Sequence, residues 1–145
     1  MSKNWVNDIA EMHAKYGVHP VVNKFDRDKL EAFLKFRIDF LQEELDEMRK
    51  AVVDRQAGKI DANTAADDTV DALIDLCVVA IGTLNAFDVN ADEAWNRVHR
   101  ANMTKEVGIK ESRPNPLGLP DLIKPEDWRA PSHENNHGLL TLIKE

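Results

Sequence analysis

Cysteine is nearly missing from this chain of 145 residues, with Cys77 standing alone, so an internal disulfide and any cysteine-rich metal centre are excluded. Cys77 sits in the apolar segment Leu76-Cys77-Val78-Val79, where a core residue is the stronger reading and a nucleophile the weaker. Also missing is any run of about 18 apolar residues that would span a bilayer, and the N-terminus lacks the basic-then-apolar pattern of a secretory signal. A cytoplasmic protein without a membrane partner is expected. Basic charge is in short supply too, with 19 Lys and Arg against 26 Asp and Glu and a net charge of −7. Such a field repels a nucleic-acid backbone, so no nucleic-acid partner is expected.

The acid excess is local. From Glu43 to Asp75 the chain holds ten acids and four bases, concentrated in two runs, Glu43-Glu44-x-x-Glu47 and Asp68-x-x-Asp71-x-x-x-Asp75. Each run interrupts sequence that otherwise reads as buried helix. The length suits a single domain with a real core, and 43% apolar against 31% charged residues is ordinary for a globular protein. There is no internal repeat and no low-complexity segment.

Helical periodicity organises the first two thirds. Asn4 can cap a helix with the stripe Trp5, Ile9, Met12, Tyr16, which Gly17 would stop and Pro20 would break. A second helix is predicted from Asp26 or Asp28 to about Lys50, with Phe33, Phe36, Phe40 on one stripe and Leu34, Ile38, Leu41, Leu45, Met48 on another. Val53 to Ala62 reads as a connection. Thr64 and Asp67 have capping-box spacing ahead of the apolar run Leu73 to Ile81, and Asn90 with Glu93 opens a last helix that ends near Lys105. Five of the six prolines, at 114, 116, 120, 125 and 131, lie in the last 38 residues, which rules out long helices there. The fold class expected is all-α, a bundle of four to five helices with an irregular proline-rich arm, divided as 1–107 and 108–145. Helices apolar on two sides call for cover from an oligomer, and the arm could pack on its own domain or on a neighbouring subunit.

Residues three and four apart share a helical face. Counting back from Glu44 reaches Phe40, Arg37 and Phe33, and counting on from Asp68, Asp71 and Asp75 reaches Val78 and Gly82. Both acid runs therefore prolong apolar faces. If the second and third helices pack antiparallel, five or six carboxylates meet at one level, where repulsion calls for divalent cations. Oxygen ligands suit the hard ions Mg²⁺ or Mn²⁺. A di-iron bundle would need Glu-x-x-His pairs, which neither run has. Mg²⁺ completes its shell with water and substrate phosphates, which points to phosphate chemistry. The competing explanation is a solvated acidic face, and the second run weakens it. In the last helix Trp95, Val98, Asn102 and Lys105 form one stripe. Asn102 and Lys105 could meet phosphate oxygens and a sugar or base, or could be a solvated helix end with the lysine set against the dipole.

The segments Glu43 to Glu47, Asp68 to Leu76 and Val98 to Lys105 resemble the all-α nucleoside triphosphate pyrophosphatase superfamily, the MazG-like and phosphoribosyl-ATP pyrophosphohydrolase-like proteins. The likeness spans roughly residues 30 to 107, and Lys124-Pro125-Glu126-x-Trp128 adds a short match to bacterial and phage members. The family pattern EExxE is met in full, while ExxD reads Asp68-x-x-Asp71, and an alternative register would use Asp71 and Asp75.

The resemblance implies that Glu44, Glu47, Asp68 and Asp71 bind Mg²⁺, that Glu43 orients or deprotonates the attacking water, and that Lys105 and Asn102 contact the nucleotide. It implies cleavage of the α–β phosphoanhydride to a monophosphate and pyrophosphate by a homodimer or homotetramer. Substrates such as dGTP or dUTP are favoured, and the long tail argues against phosphoribosyl-ATP. Trp5, Trp95, Phe33 and His13 could stack on a base, although core roles suit them better. A non-catalytic acidic helical module for protein interaction, or a metal or nucleotide sensor, is the alternative.

Overall fold

The computed structural model describes residues 4–113 and 115–143; Pro114 of the proline-rich run lies outside them. The chain is all-α in class, with five α-helices and one small two-stranded sheet among the described residues. It falls into two compact units, one of residues 4–91 with 137–143 and the other Asp92–Asn136.

In the first unit, α1 (Trp5–Tyr16) is capped as expected, by the Asn4 side chain on the Asn7 amide and by Gly17 in the left-handed region at φ 69°. Its buried face differs from the predicted stripe. Ile9 and His13 are buried while Trp5 and Tyr16 are exposed, because His13 finds a partner in Asn85 at 2.7 Å that satisfies its ring nitrogen. Pro20 does not break the chain. It lies inside a short helix, α2 (Val18–Val22), early enough that its missing N–H costs no bond.

Helix α3 (Arg27–Gln56) is capped by Asp26, whose side chain accepts from the Lys29 amide. It runs past Lys50 through residues expected to form a connection. Helix α4 (Ala62–Ala86) starts earlier than predicted because Asp61, rather than Thr64, is the cap, accepting from the Thr64 amide at 2.7 Å. The two helices are antiparallel. Arg37 reaches Val79 and Thr83, and further along α3 the charges of Asp71 and Asp75 act on Glu44 and that of Asp68 on Lys50.

A seven-residue repeat defines their seam. On α3 it is Leu30, Arg37, Glu44, Ala51; on α4 it is Ala65, Ala72, Val79, Ala86. All of these are buried apart from half-buried Arg37, and the small residues on α4 let the backbones approach closely. Helix α4 is also long and apolar enough to cross a membrane by length and composition, with a mean hydropathy of 1.6 over its most apolar window. The core helix of a bundle meets the same test, and α4 packs along α3.

The core lies at one end of this hairpin. Val22, Leu30, Phe87 and Val89 are buried there, with Phe25, Phe33 and Leu84 around them. Phe33 stacks on Phe87 with centroids 5.4 Å apart. The chain's end closes it. Leu139 and Leu140, in a 3₁₀ helix (Gly138–Leu142), pack on this core, and the Leu139 amide donates to the Phe87 carbonyl at 2.7 Å. A Cβ on Gly138 would stand 1.9 Å from that carbonyl, so only glycine permits the approach.

In the second unit, α5 (Ala91–Met103) leads into strand β1 (Glu106–Gly108), paired antiparallel with β2 (Asp121–Ile123) in the register Val107 to Leu122. The expected extended arm is thus folded on its own chain. The Trp128 indole donates to the Ala101 carbonyl at 2.8 Å, and Arg97 donates to the carbonyls of Ser132 and Glu134. Composition showed the prolines but not these anchors.

Candidate active site

The seam carries the site. Three of its four α3 positions have an obvious structural role, whereas Glu44 puts a carboxyl opposite alanines. Glu44 is 8% exposed, and its Oε2 is buried without a hydrogen-bond partner among the described residues. Its pKa is raised, first by burial and then by the charges of Glu47, Asp75, Glu43 and Asp71. Four carboxylates on two facing helices therefore direct negative potential at a fifth. A buried anion in that field is costly unless it is protonated or meets a cation.

The structure brings together most, but not all, of the acids named from sequence. Glu43 and Glu47 are exposed and line an open groove of about 430 Å³ along α3 with Asp39, Asp46 and Lys50. Asp71 is exposed and Asp75 half-buried on α4, both close enough to act on Glu44. Asp68 does not belong to that set, since its charge acts on Lys50. The prediction that all the acids face inward holds for Glu44 and in part for Asp75. Seven-residue spacing, rather than the shared face of EExxE, selects the buried one.

The donor set fits a hard cation. Its oxygens are all carboxylate, and one of them is buried and unsatisfied, a state that a bound divalent ion would relieve. Among the described residues no three His, Cys, Asp or Glu side chains stand close enough together to hold a metal ion as they are placed. The acids converge electrostatically more than they touch.

Next along the seam stands Arg37, which sequence reasoning passed over. Its Nε donates to Thr83 Oγ1 and its Nη2 to the Val79 carbonyl, both at 2.9 Å, and burial lowers its pKa. A Cβ on Gly82 would come within 2.7 Å of that guanidinium and 3.3 Å of His13 Nε2. Gly82 thus makes room for a polar brace of His13, Arg37 and Asn85. The pKa of His13 is lowered, chiefly by burial, with the charges of Arg37 and His19 adding to it against the Asn85 bond. The seven-residue interval from Arg37 to Glu44 was the available signal.

The proposed base-stacking residues separate. Phe33 and His13 are committed to the interior, whereas Trp5 is 53% and Trp95 71% exposed. On α5 the sheltered face is Ala94, Arg97 and Ala101, turned away from the predicted stripe because Arg97 and the Ala101 carbonyl hold the following loop. Asn102 is exposed, and the Lys105 ammonium stands 5.5 Å from the Trp128 ring centroid.

A family model for phosphoribosyl-ATP pyrophosphohydrolase matches residues 24–102, more than half of the chain. The chain belongs to this family. Its members are pyrophosphohydrolases, which points to hydrolysis of a nucleotide's pyrophosphate bond, and the match covers the hairpin that bears Glu44. The match takes in α3, α4 and α5 as far as Asn102, and it leaves Lys105 and Trp128 outside. A search of curated proteins finds no match.

Proposed function

We propose that this member of the phosphoribosyl-ATP pyrophosphohydrolase family is a Mg²⁺-dependent nucleoside triphosphate pyrophosphohydrolase that converts a (d)NTP to the (d)NMP and pyrophosphate, with a deoxynucleotide such as dGTP or dUTP as substrate. The observation that carries this reading is the buried, unpartnered Glu44 oxygen amid four further carboxylates. Glu44, Glu47, Asp71 and Asp75 would hold Mg²⁺, with Mn²⁺ as a substitute. Asp68 is the outer candidate. The bound ion would supply charge neutralisation for the polyphosphate and lower the pKa of water.

Glu43 would orient the attacking water and accept its proton. It lines the open groove on α3 beside Glu47, so water can reach it. Asn102 and Lys105 would contact the nucleotide. Asn102 is exposed and Lys105 half-buried, which leaves the amide and the ammonium available for sugar, base or phosphate oxygens.

A homodimer or homotetramer fits the uncovered apolar surface. Val70, Leu73 and Ile74 on α4 are 61%, 46% and 44% exposed, and a second copy would bury them.

Pyrophosphate release from a panel of dNTPs, NTPs and phosphoribosyl-ATP at millimolar Mg²⁺ tests the reading. Turnover of a deoxynucleoside triphosphate is expected, with Glu47→Ala reducing it by roughly 10³-fold. Release from phosphoribosyl-ATP alone would reassign the substrate, and release from none would leave a binding or sensing module.

A further inference from the structure

The unit Asp92–Asn136 contains a second concave surface that shares no residue with the carboxylate cluster. Arg97, Arg100, Trp128 and Arg129 are among the residues lining a cavity of about 640 Å³, a volume suited to a nucleotide-sized ligand. Most of its lining lies beyond residue 102, where the family match ends.

The cations here divide by task. Arg97 is structural, with Nε donating to Glu93 at 2.8 Å and Nη1 to the carbonyls of Ser132 and Glu134 at 3.1 and 2.9 Å. Arg100 and Arg129 are exposed and have neither a hydrogen bond nor an ion pair among the described residues. Trp128 forms a fixed wall, because its N–H is held by the Ala101 carbonyl. The ring in turn holds two ammonium groups, with Lys105 Nζ 5.5 Å and Lys124 Nζ 4.7 Å from its centroid.

Apart from Arg97, which is paired with Glu93, and Lys105, which would contact the substrate nucleotide, three cations, Arg100, Arg129 and Lys124, meet two lining carboxylates, Glu106 and Asp127. In a chain of net charge −7 this is a local excess of cations, and Arg100 and Arg129 have no hydrogen-bond or ion-pair partner among the described residues. Guanidinium forks match phosphate oxygens in pairs, and a lysine parked on an indole stays charged and available. The carboxylates in the lining disfavour a continuous nucleic-acid backbone.

We propose that this pocket binds the diphosphate group of a small ligand without a metal ion, through Arg100 and Arg129 with Lys124 in support. The inference is independent of the carboxylate site, which requires a metal in the reading above. Two sources share this chemistry: free pyrophosphate and the phosphate tail of a nucleotide.

Isothermal titration of the full chain in EDTA at low salt separates them, with inorganic pyrophosphate, dGDP and deoxyguanosine as titrants. Saturable binding of pyrophosphate or dGDP and none of deoxyguanosine is expected. Arg100→Gln and Arg129→Gln should each weaken it about tenfold, Arg129→Lys should recover part of the loss, and Glu47→Ala should leave it unchanged. Both arginines are exposed, and unaltered thermal melts would confirm folding. Tighter binding of dGDP than of pyrophosphate would assign the pocket to a nucleotide, and equal or weaker binding would assign it to free pyrophosphate. Saturable binding of neither phosphate compound, or binding indifferent to both arginine substitutions, would overturn the proposal. Loss of nucleotide hydrolysis in Glu47→Ala with metal-free binding intact would show the two sites to be separate.

Discussion

The two ends of the α3–α4 hairpin are built from the same seven-residue seam and come out opposite in character. At the end near Phe87, every strong group is answered. Phe87 is fully buried, Phe33 stacks on it, Arg37 is spent on Val79 and Thr83, and His13 is spent on Asn85. At the end near Glu44, a carboxyl is buried without a partner and Val53 and Val70 are 58% and 61% exposed. Local stability and chemistry have been placed on different stretches of one supersecondary unit, as expected when a site must tolerate charges that a core would reject.

The comparison is broken most directly by Phe87→Ala. Truncating a fully buried phenylalanine costs about 3–5 kcal/mol, read as a lowered urea midpoint. The same kind of truncation at the other end, Val70→Ala, should stay within about 0.5 kcal/mol in the monomer. If a second copy covers α4, the Val70 variant will instead lose stability by an amount that depends on protein concentration. A concentration-independent melt together with a large Val70 effect would refute the division between the ends.

A gentler substitution sharpens it. Glu44→Gln keeps the shape and removes the charge, and in EDTA at pH 7 it should stabilise the protein by roughly 1 kcal/mol, the scale of one unsatisfied buried group. The pH dependence has a definite sign. Because the Glu44 pKa is raised above its ordinary 4.5, the folded state takes up the proton more readily than the unfolded state does. Wild-type stability is therefore undiminished below that value and falls as the pH rises through the raised pKa. The advantage of the glutamine variant should vanish near pH 4 and be complete at neutral pH. Millimolar Mg²⁺ should reverse the order, since a ligand at 100 times its Kd adds about 2.7 kcal/mol to wild type. A thermal melt series over pH with and without Mg²⁺ checks all three.

Much of the fold could be read from the chain, and the reasons for the exceptions are physical. Asn4 and Gly17 act where their chemistry requires, and the antiparallel α3–α4 pairing follows from two long apolar patterns. The boundaries failed where one cap outcompeted another, Asp61 over Thr64, and where alanines and valines of ordinary helix propensity carried α3 through Val53. The C-terminal unit was illegible because its anchors are backbone carbonyls. Nothing in the type of residue 101, 132 or 134 announces that Trp128 or Arg97 will bind it. The carboxylates of the candidate site were legible as residue types and their burial was not, since face-counting from Glu44 cannot distinguish a buried seam position from its exposed neighbours Glu43 and Glu47.

That ambiguity in register gives the smallest and most discriminating effect. Asp68 and Asp75 are both acids on α4, one turn to either side of Asp71, and sequence alone admits either as a ligand. Their fields differ in the structure: Asp75 and Asp71 raise the Glu44 pKa, and Asp68 raises that of Lys50. A group outside a repulsive cluster gains less from a divalent ion than one held within it. Titration with Mn²⁺ should therefore show Asp71→Asn and Asp75→Asn each weakening binding by about tenfold or more, on the scale of perturbed metal shells, while Asp68→Asn changes it by less than about threefold, an energy difference below roughly 0.7 kcal/mol. If Asp68→Asn instead matched Asp71→Asn, the ExxD-like register would be the working one.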